Sequence, residues 1–320
     1  MILSVSRRTD IPAFYSTWFL ARLRAGIVDV PNPFNSHQVS RISLRPEDVD
    51  CIVFWTKNPA PLLPHLVELD AMGYRYYFQV TLTPYGRDAE PGLPEKAELV
   101  RTFQTLSSTI GREKAVWRYD PIFLTEKYTA DWHEAAFRRL LGELASYTER
   151  CVISFLDLYR KTARNTKPLG LLPLTEECME DIAARFSRAA EGSGLDLQSC
   201  SEAVDLDRYG IRHGSCIDKE RIERVLGAAV DVRKDPTQRQ ECGCMQSVDV
   251  GQYNTCLHLC RYCYANFNAD MARACMRDHH DDSTMLTGRL SLTAKVTERK
   301  VTHLKLGPLR GEAPAELSLF

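Results

Sequence analysis

Short apolar or β-branched runs recur along the chain, each followed by a stretch of helical character. This alternation is the pattern of βα units built on a parallel sheet. Six runs predict strands: Ile2–Ser6, Cys51–Trp55, Tyr76–Leu82, Ala115–Tyr119, Cys151–Leu156 and Leu195–Cys200. The intervening helices are expected over Phe14–Ala25, Ala60–Met72, Glu95–Thr109, Ala130–Ser146 and Thr175–Glu191, the last opening at Thr175 and Glu176 after Pro173. Polar or turn-forming residues follow the strands: Arg7-Arg8-Thr9-Asp10, Thr56-Lys57-Asn58-Pro59, Thr83-Pro84-Tyr85-Gly86, Asp120-Pro121, Asp157 and Ser201-Glu202. In a parallel α/β barrel these positions share the carboxyl-end face, where active sites are built. Asp, Thr, Asn and Pro also serve there as ordinary caps and turns, whereas Arg7, Arg8 and Lys57 cannot cap a helix N-terminus.

After Cys200 the alternation weakens. Lys219–Leu226 reads as a helix and Val230–Val232 as a short strand, and beyond Asp235-Pro236 the chain is rich in cysteine and turns up to about Asn268, then polar. Two parts are expected: an α/β domain over 1–235, and over 236–320 a cysteine-rich segment and tail that folds around metal rather than around a large core.

Length and composition change this picture little. The chain has 320 residues, enough for one large α/β domain, and 44% hydrophobic content is enough for a buried core. Net charge is -1, so no overall basic field draws the protein to nucleic acid or an anionic membrane. No leader-like or membrane-length apolar segment occurs, and a cytoplasmic address is expected. In that reducing compartment clustered cysteines point to metal or catalysis rather than disulfides. Seven of the eleven cysteines lie between Cys200 and Cys263, where an even spread would place about two. Cys51, Cys151 and Cys178, on expected strands and a helix, read as small buried hydrophobes.

The densest stretch runs from Tyr253 to Asn266 and holds Cys256, Cys260 and Cys263 at spacing C-x3-C-x2-C. Three thiolates so spaced can each take one iron of a [4Fe–4S] cubane and leave the fourth iron open to a small molecule. The alternative is a zinc ion with His258 or a remote cysteine as fourth ligand, although zinc usually takes two separated pairs of ligands. Upstream, Cys200, Cys216, Cys242 and Cys244 supply the four thiolates of a closed zinc or an auxiliary [4Fe–4S] cluster. The same four can equally be buried thiols without metal.

With Tyr262 directly before Cys263, the motif resembles the radical S-adenosylmethionine (radical SAM) superfamily, whose signature is C-x3-C-x-aromatic-C. That resemblance implies a partial (β/α)6 TIM-like barrel, S-adenosylmethionine on the open iron, and a radical enzyme served by an external electron donor such as a flavodoxin or ferredoxin. It also favours an auxiliary cluster over zinc at the second cysteine set. Two features depart from the superfamily: the motif follows the last expected strand rather than the first, and no Gly-Gly-Glu-like element for the methionine amino group is present. Contacts to S-adenosylmethionine then fall to Arg7, Arg8, Asp10, Lys57, Asn58, Arg118 and Asp120, and Glu202 stands as a candidate catalytic acid or base. The Arg7–Pro12 opening together with Tyr253–Asn266 also resembles an uncharacterised bacterial family of domains of unknown function, which brings no reaction. Two other functions compete: a zinc-stabilised protein that binds nucleic acid or another protein, with Arg261, Tyr262 and Tyr264 stacking on bases, and an iron–sulfur redox or sensor protein without S-adenosylmethionine chemistry. His279-His280-Asp281-Asp282 reads as a solvated turn.

Overall fold

The computed structural model describes residues 1–158 and 160–308. All six expected strands form, as β1 (Ile2–Val5), β4 (Cys51–Thr56), β5 (Tyr76–Thr81), β6 (Ala115–Ile122), β7 (Arg150–Phe155) and β8 (Asp196–Cys200). They lie side by side in that order, every neighbouring pair parallel. Two further strands extend this sheet to eight: β9 (Arg212–Gly214) beside β8, and β11 (Val248–Asp249) beside β1.

The strands are apolar on both faces because both faces are covered. Leu3, Ile52, Phe54, Phe78, Trp117 and Ile153 pack toward the helices in one large core. Their alternates Ile2, Val53, Tyr77, Val116 and Val152 join Ile222 and the four cysteines Cys200, Cys216, Cys242 and Cys244 in a second cluster. The helical layer is tied by aromatic stacks. Phe137 of α5 (Ala130–Leu144) lies 5.3 Å from Trp117 and 4.1 Å from Phe186 of α7 (Glu176–Ala190), centroid to centroid. Thr175 caps α7 as its position predicts, accepting from the Cys178 amide.

Two expected helices are shorter or broken for local reasons. The first divides into α1 (Ile11–Phe14), capped by Asp10, and α2 (Ser16–Ala25), which ends at left-handed Gly26. The second keeps only α3 (Leu66–Ala71), after a 3-10 turn at Leu63–His65, because Pro61 and Pro64 remove backbone donors. The helix α4 (Lys96–Ile110) falls within a residue of expectation at each end, and α8 (Lys219–Leu226) matches it.

A hairpin of β2 (Ile27–Asn32) and β3 (Asn35–Ser43) was not legible as strands, and β12 (Lys295–Glu298) adds to it in parallel to make a three-stranded sheet. A small antiparallel pair joins β10 (Ala229–Asp231) to β13 (Lys305–Gly307). The short helices α6 (Arg160–Thr166) and α9 (Ala269–Arg277) complete the described elements. No helix among the described residues is long and apolar enough to cross a membrane. The tail expected to 320 is described only to residue 308.

Candidate metal centre and the cavity at the strand ends

Placement of the cysteine motif follows from β11. Because Val248 and Asp249 pair with Leu3 and Ser4, the loop that follows leaves the sheet beside the end of β1, although it lies some 240 residues later in the chain. Asp249 fastens this junction: its carboxylate accepts from the hydroxyls of Ser4 (2.8 Å) and Ser6 (2.7 Å) and from the amides of Arg7 (2.8 Å) and Gly251 (3.0 Å). At Gly251 a Cβ would lie 2.0 Å from the Ser6 Oγ, so only glycine allows the two segments to approach this closely.

The motif loop is held on every side. Tyr15 donates to the Thr255 carbonyl at 2.6 Å, Asn266 to the Cys256 carbonyl at 2.7 Å, and Tyr264 to the Arg7 carbonyl at 2.8 Å. Asn254 and Leu259 take left-handed conformations, φ 60° and 55°. Leu259 pays a local conformational cost that asparagine largely avoids, and such residues concentrate where the surrounding structure dictates the backbone. The loop after β5 grips the motif from the other side. Gly92 donates to the His258 carbonyl at 3.0 Å and Arg261 to the Ala89 carbonyl at 2.9 Å. A Cβ on Gly92 would stand 2.2 Å from the Leu257 carbonyl oxygen.

Glu90, in that same loop, is buried among cations. It accepts from Lys57 and Thr83, each at 2.8 Å, and from Lys96 and Tyr262. Burial works to raise its pKa, but the Lys57 and Lys96 ammonium groups overcome this and hold the carboxyl down at about 2. Asp10 caps α1 through the Ala13 amide and also accepts from the Lys57 amide (2.6 Å) and the His258 Nε2 (2.8 Å). His258 is thereby engaged by a carboxylate through Nε2, while its buried Nδ1 has no protein partner.

Cys256, Cys260 and Cys263 line a cavity of about 350 Å³ at the carboxyl ends of the strands. No hydrogen bond joins their sulfurs among the described residues, yet they are near enough for their charges to act on one another. Burial raises all three thiol pKa values, that of Cys260 to about 12 although Lys57 pulls it back. Such thiols ionise when a metal takes the place of the proton.

Cys200, Cys216, Cys242 and Cys244 line the same cavity and do touch. The Cys200 and Cys216 sulfurs are 2.9 Å apart, and the neighbouring thiols of Cys200, Cys216 and Cys242 act to lower the Cys244 pKa. Arg118 donates to the Cys216 sulfur at 2.6 Å, while Tyr77 and Gln79 donate to the Cys216 carbonyl, each at 2.8 Å. Among the described residues no three His, Cys, Asp or Glu side chains are arranged to hold a single metal ion. Two sulfurs on one tetrahedral ion at about 2.3 Å would stand about 3.8 Å apart. The 2.9 Å pair is closer than that, and this set must open by about 0.9 Å to admit an ion. As chemistry, four converging buried thiols fit a closed metal site, and three separated ones fit a group with several points of attachment.

Of the other residues singled out from sequence, Arg7, Arg8, Asp10, Lys57, Arg118 and Asp120 line the cavity. Asp120 pairs with Arg118 and accepts from Ser154; its pKa is low because these partners outweigh burial. Asn58 and Glu202 do not line it. Asn58 makes a local turn, accepting from the Ala60 amide at 3.2 Å. Glu202 accepts from the Phe155 amide at 2.8 Å, and burial, with Asp157 and Asp120 adding repulsion, raises its pKa to about 7. Trp55, Glu90, Lys96 and Asp249 had drawn no notice in the sequence. Trp55 lies between two guanidinium groups, Arg7 at 5.0 Å and Arg118 at 5.5 Å, and one buried nitrogen of Arg7, Nη2, has no protein partner.

One family model, described as a domain of unknown function (DUF1848), matches residues 2–265, and the chain belongs to that family. No curated protein and no solved structure matches the chain.

Proposed function

We propose that this member of the family is a cytoplasmic radical S-adenosylmethionine enzyme whose [4Fe–4S] cluster is held by Cys256, Cys260 and Cys263. The observation that carries the reading is the setting of these cysteines: two buried thiols and the half-buried Cys263, none hydrogen-bonded to another, lining a cavity that also presents Arg7, Lys57 and Arg118. When bound, such a cluster supplies an open iron for the amino-acid end of S-adenosylmethionine and the electron that cleaves its sulfonium bond.

The chain's own residues supply charge and position. Lys57, fixed by Glu90, keeps a positive charge near Cys260 and favours the thiolate there. The unpartnered Arg7 nitrogen is suited to a carboxylate, and Trp55 offers an indole face beside it. Asp10 and Asp120 are occupied by protein donors and act by holding Lys57, His258 and Arg118 in place. Glu202, bonded to backbone and outside the cavity lining, has the weaker claim to contact substrate.

Curvature supports the barrel-like reading of the sheet. β1 and β8 are five strand spacings apart, about 24 Å if the sheet were flat. Yet Ser6 after β1 and Cys200 of β8 line one cavity of about 350 Å³. The pairing of β11 with β1 supports the same reading, since it brings the loop of the late motif beside the first strand.

For Cys200, Cys216, Cys242 and Cys244 we propose a second, closed metal site, either an auxiliary [4Fe–4S] cluster or zinc. Anaerobic reconstitution with iron and sulfide, followed by metal and acid-labile sulfide analysis, distinguishes the two. Electron paramagnetic resonance with and without S-adenosylmethionine, and a search for 5′-deoxyadenosine after reduction, tests the main reading. An unchanged signal and no product from fully loaded protein would remove it, leaving the redox or sensor function; zinc alone at the triplet would leave the zinc-stabilised binding protein.

A further inference from the structure

A second concavity opens beside the cysteine cavity, and the two share lining residues, among them Arg7, Arg8, Arg239 and Tyr264. It is a groove of about 1500 Å³, larger than the roughly 300–1,000 Å³ of small-molecule sites. One wall is the polar face of the three-stranded sheet, where strand alternation points Gln38 and Ser40 of β3 and Lys295 and Thr297 of β12 into the groove, with Arg299 continuing the row.

Charge decides what suits this groove. Five cations line it, Arg7, Arg8, Arg239, Lys295 and Arg299, against two carboxylates, Asp235 and Asp249. Both carboxylates are occupied from within: Asp249 by Ser4, Ser6 and two amides, Asp235 by Thr237 and Gln238. Lys295 and Arg299 make no ion pair among the described residues, whereas Arg239 pairs with Asp157 and Arg8 stands 4.0 Å from Asp249. The overall charge of -1 therefore conceals a locally basic surface. Aromatic groups stand along it: Phe34 at the hairpin tip is almost wholly exposed, and Tyr253 and Tyr264 lie at the inner end.

We propose that the groove binds single-stranded nucleic acid as the substrate, with phosphates on the basic row, bases on the aromatic rings, and one unit turned into the cysteine cavity. A row of cations interleaved with exposed rings is the requirement for tracking an unpaired strand. The groove and the cavity meet at Arg7, Arg8, Arg239 and Tyr264, so one unit can face the cavity mouth, as enzymes acting on a base require. This names a substrate class for the proposed function, but the binding itself does not depend on the cluster.

The test measures fluorescence anisotropy of the full-length, iron-loaded protein with 5′-fluorescein-labelled 15-nucleotide DNA and RNA of mixed sequence, without S-adenosylmethionine or reductant. If Arg8, Arg239, Lys295 and Arg299 meet phosphates, affinity for one or both strands falls about fiftyfold between 50 and 200 mM salt. The double variant Lys295→Gln/Arg299→Gln lowers the salt slope by about 1.4, and Phe34→Ser weakens binding about tenfold. Lys219→Gln, on α8 outside the groove, changes neither. Preference for DNA or RNA identifies the source of the strand. Equal affinity for the duplex, equal affinity for poly-glutamate, or no binding at 50 mM salt by folded protein would overturn the proposal. Failure to bind with iron content intact removes the substrate alone, whereas retained binding by protein that takes up no iron removes the enzyme reading alone.

Discussion

Replacing Glu90 by glutamine takes one negative charge from a fully buried site and leaves Lys57 and Lys96 facing each other without it. Breaking one side of a buried ion pair typically costs about 3–5 kcal/mol, because the remaining charge is uncompensated. The depression of the Glu90 carboxyl from 4.5 to about 2 gives an independent figure of about 3 kcal/mol. The sign follows from the direction of that shift. A carboxyl with a lowered folded-state pKa stabilises the protein above its unfolded pKa, and this stabilisation is lost as pH falls from about 4.5 to about 2. Thermal unfolding followed by circular dichroism at pH 7.5 should therefore show Glu90→Gln melting about 4–7 °C below wild type. The gap should narrow below pH 4.5, and Glu90→Gln/Lys96→Met should recover part of it by removing the excess cation. Since Tyr262 of the cysteine loop also donates to Glu90, the single variant should take up less iron on reconstitution. A melting point within 2 °C of wild type, or a gap that stays constant down to pH 3, would refute the view that this carboxylate anchors the motif.

Gly92→Ala should lower stability by about 2 kcal/mol or more and loosen the cysteine loop, since its Cβ meets the Leu257 and His258 carbonyls and neither is a flexible side chain; limited proteolysis near residue 257 reports this, and an unchanged digestion pattern counts against it. Serine at Cys256, Cys260 or Cys263 should each abolish reconstitution of the first cluster, whereas Cys178→Ser on α7 should leave the iron-to-protein ratio unaltered. Glu202→Gln should stabilise the protein at pH 8: a carboxyl raised from 4.5 to about 7 costs stability once ionised, by about 1–3 kcal/mol. That gain should vanish at about pH 3, below both pKa values, where wild type is protonated in both states, and denaturant titrations at the two pH values give the comparison.

Much of the sheet was legible because its strands are short, apolar and separated by capped helices. Cys51–Thr56 and Tyr76–Thr81 lie within a residue of where their composition put them. The hairpin was not, since Pro31, Pro33 and a polar run through Asn35–Gln38 read as a loop, and only pairing with β12 from the far end of the chain completes its sheet. Two residues are too few for any periodicity, so β11 had no signal of its own.

What the amino-acid order determined alone was local: the βα alternation, the helix caps, and a thiol triplet whose spacing carries its own chemistry. Tertiary structure decided everything that depends on distant segments meeting. Glu90 sits in the turn-rich stretch Pro84–Pro94 and looks like a surface carboxylate until Lys57, Lys96 and Tyr262 close around it. Cys200 and Cys244 are 44 positions apart, and Arg7 and Tyr264 more than 250, yet all face one space. Periodicity reports which face of an element is buried, but not which element covers it; that choice belongs to the packing of the whole chain.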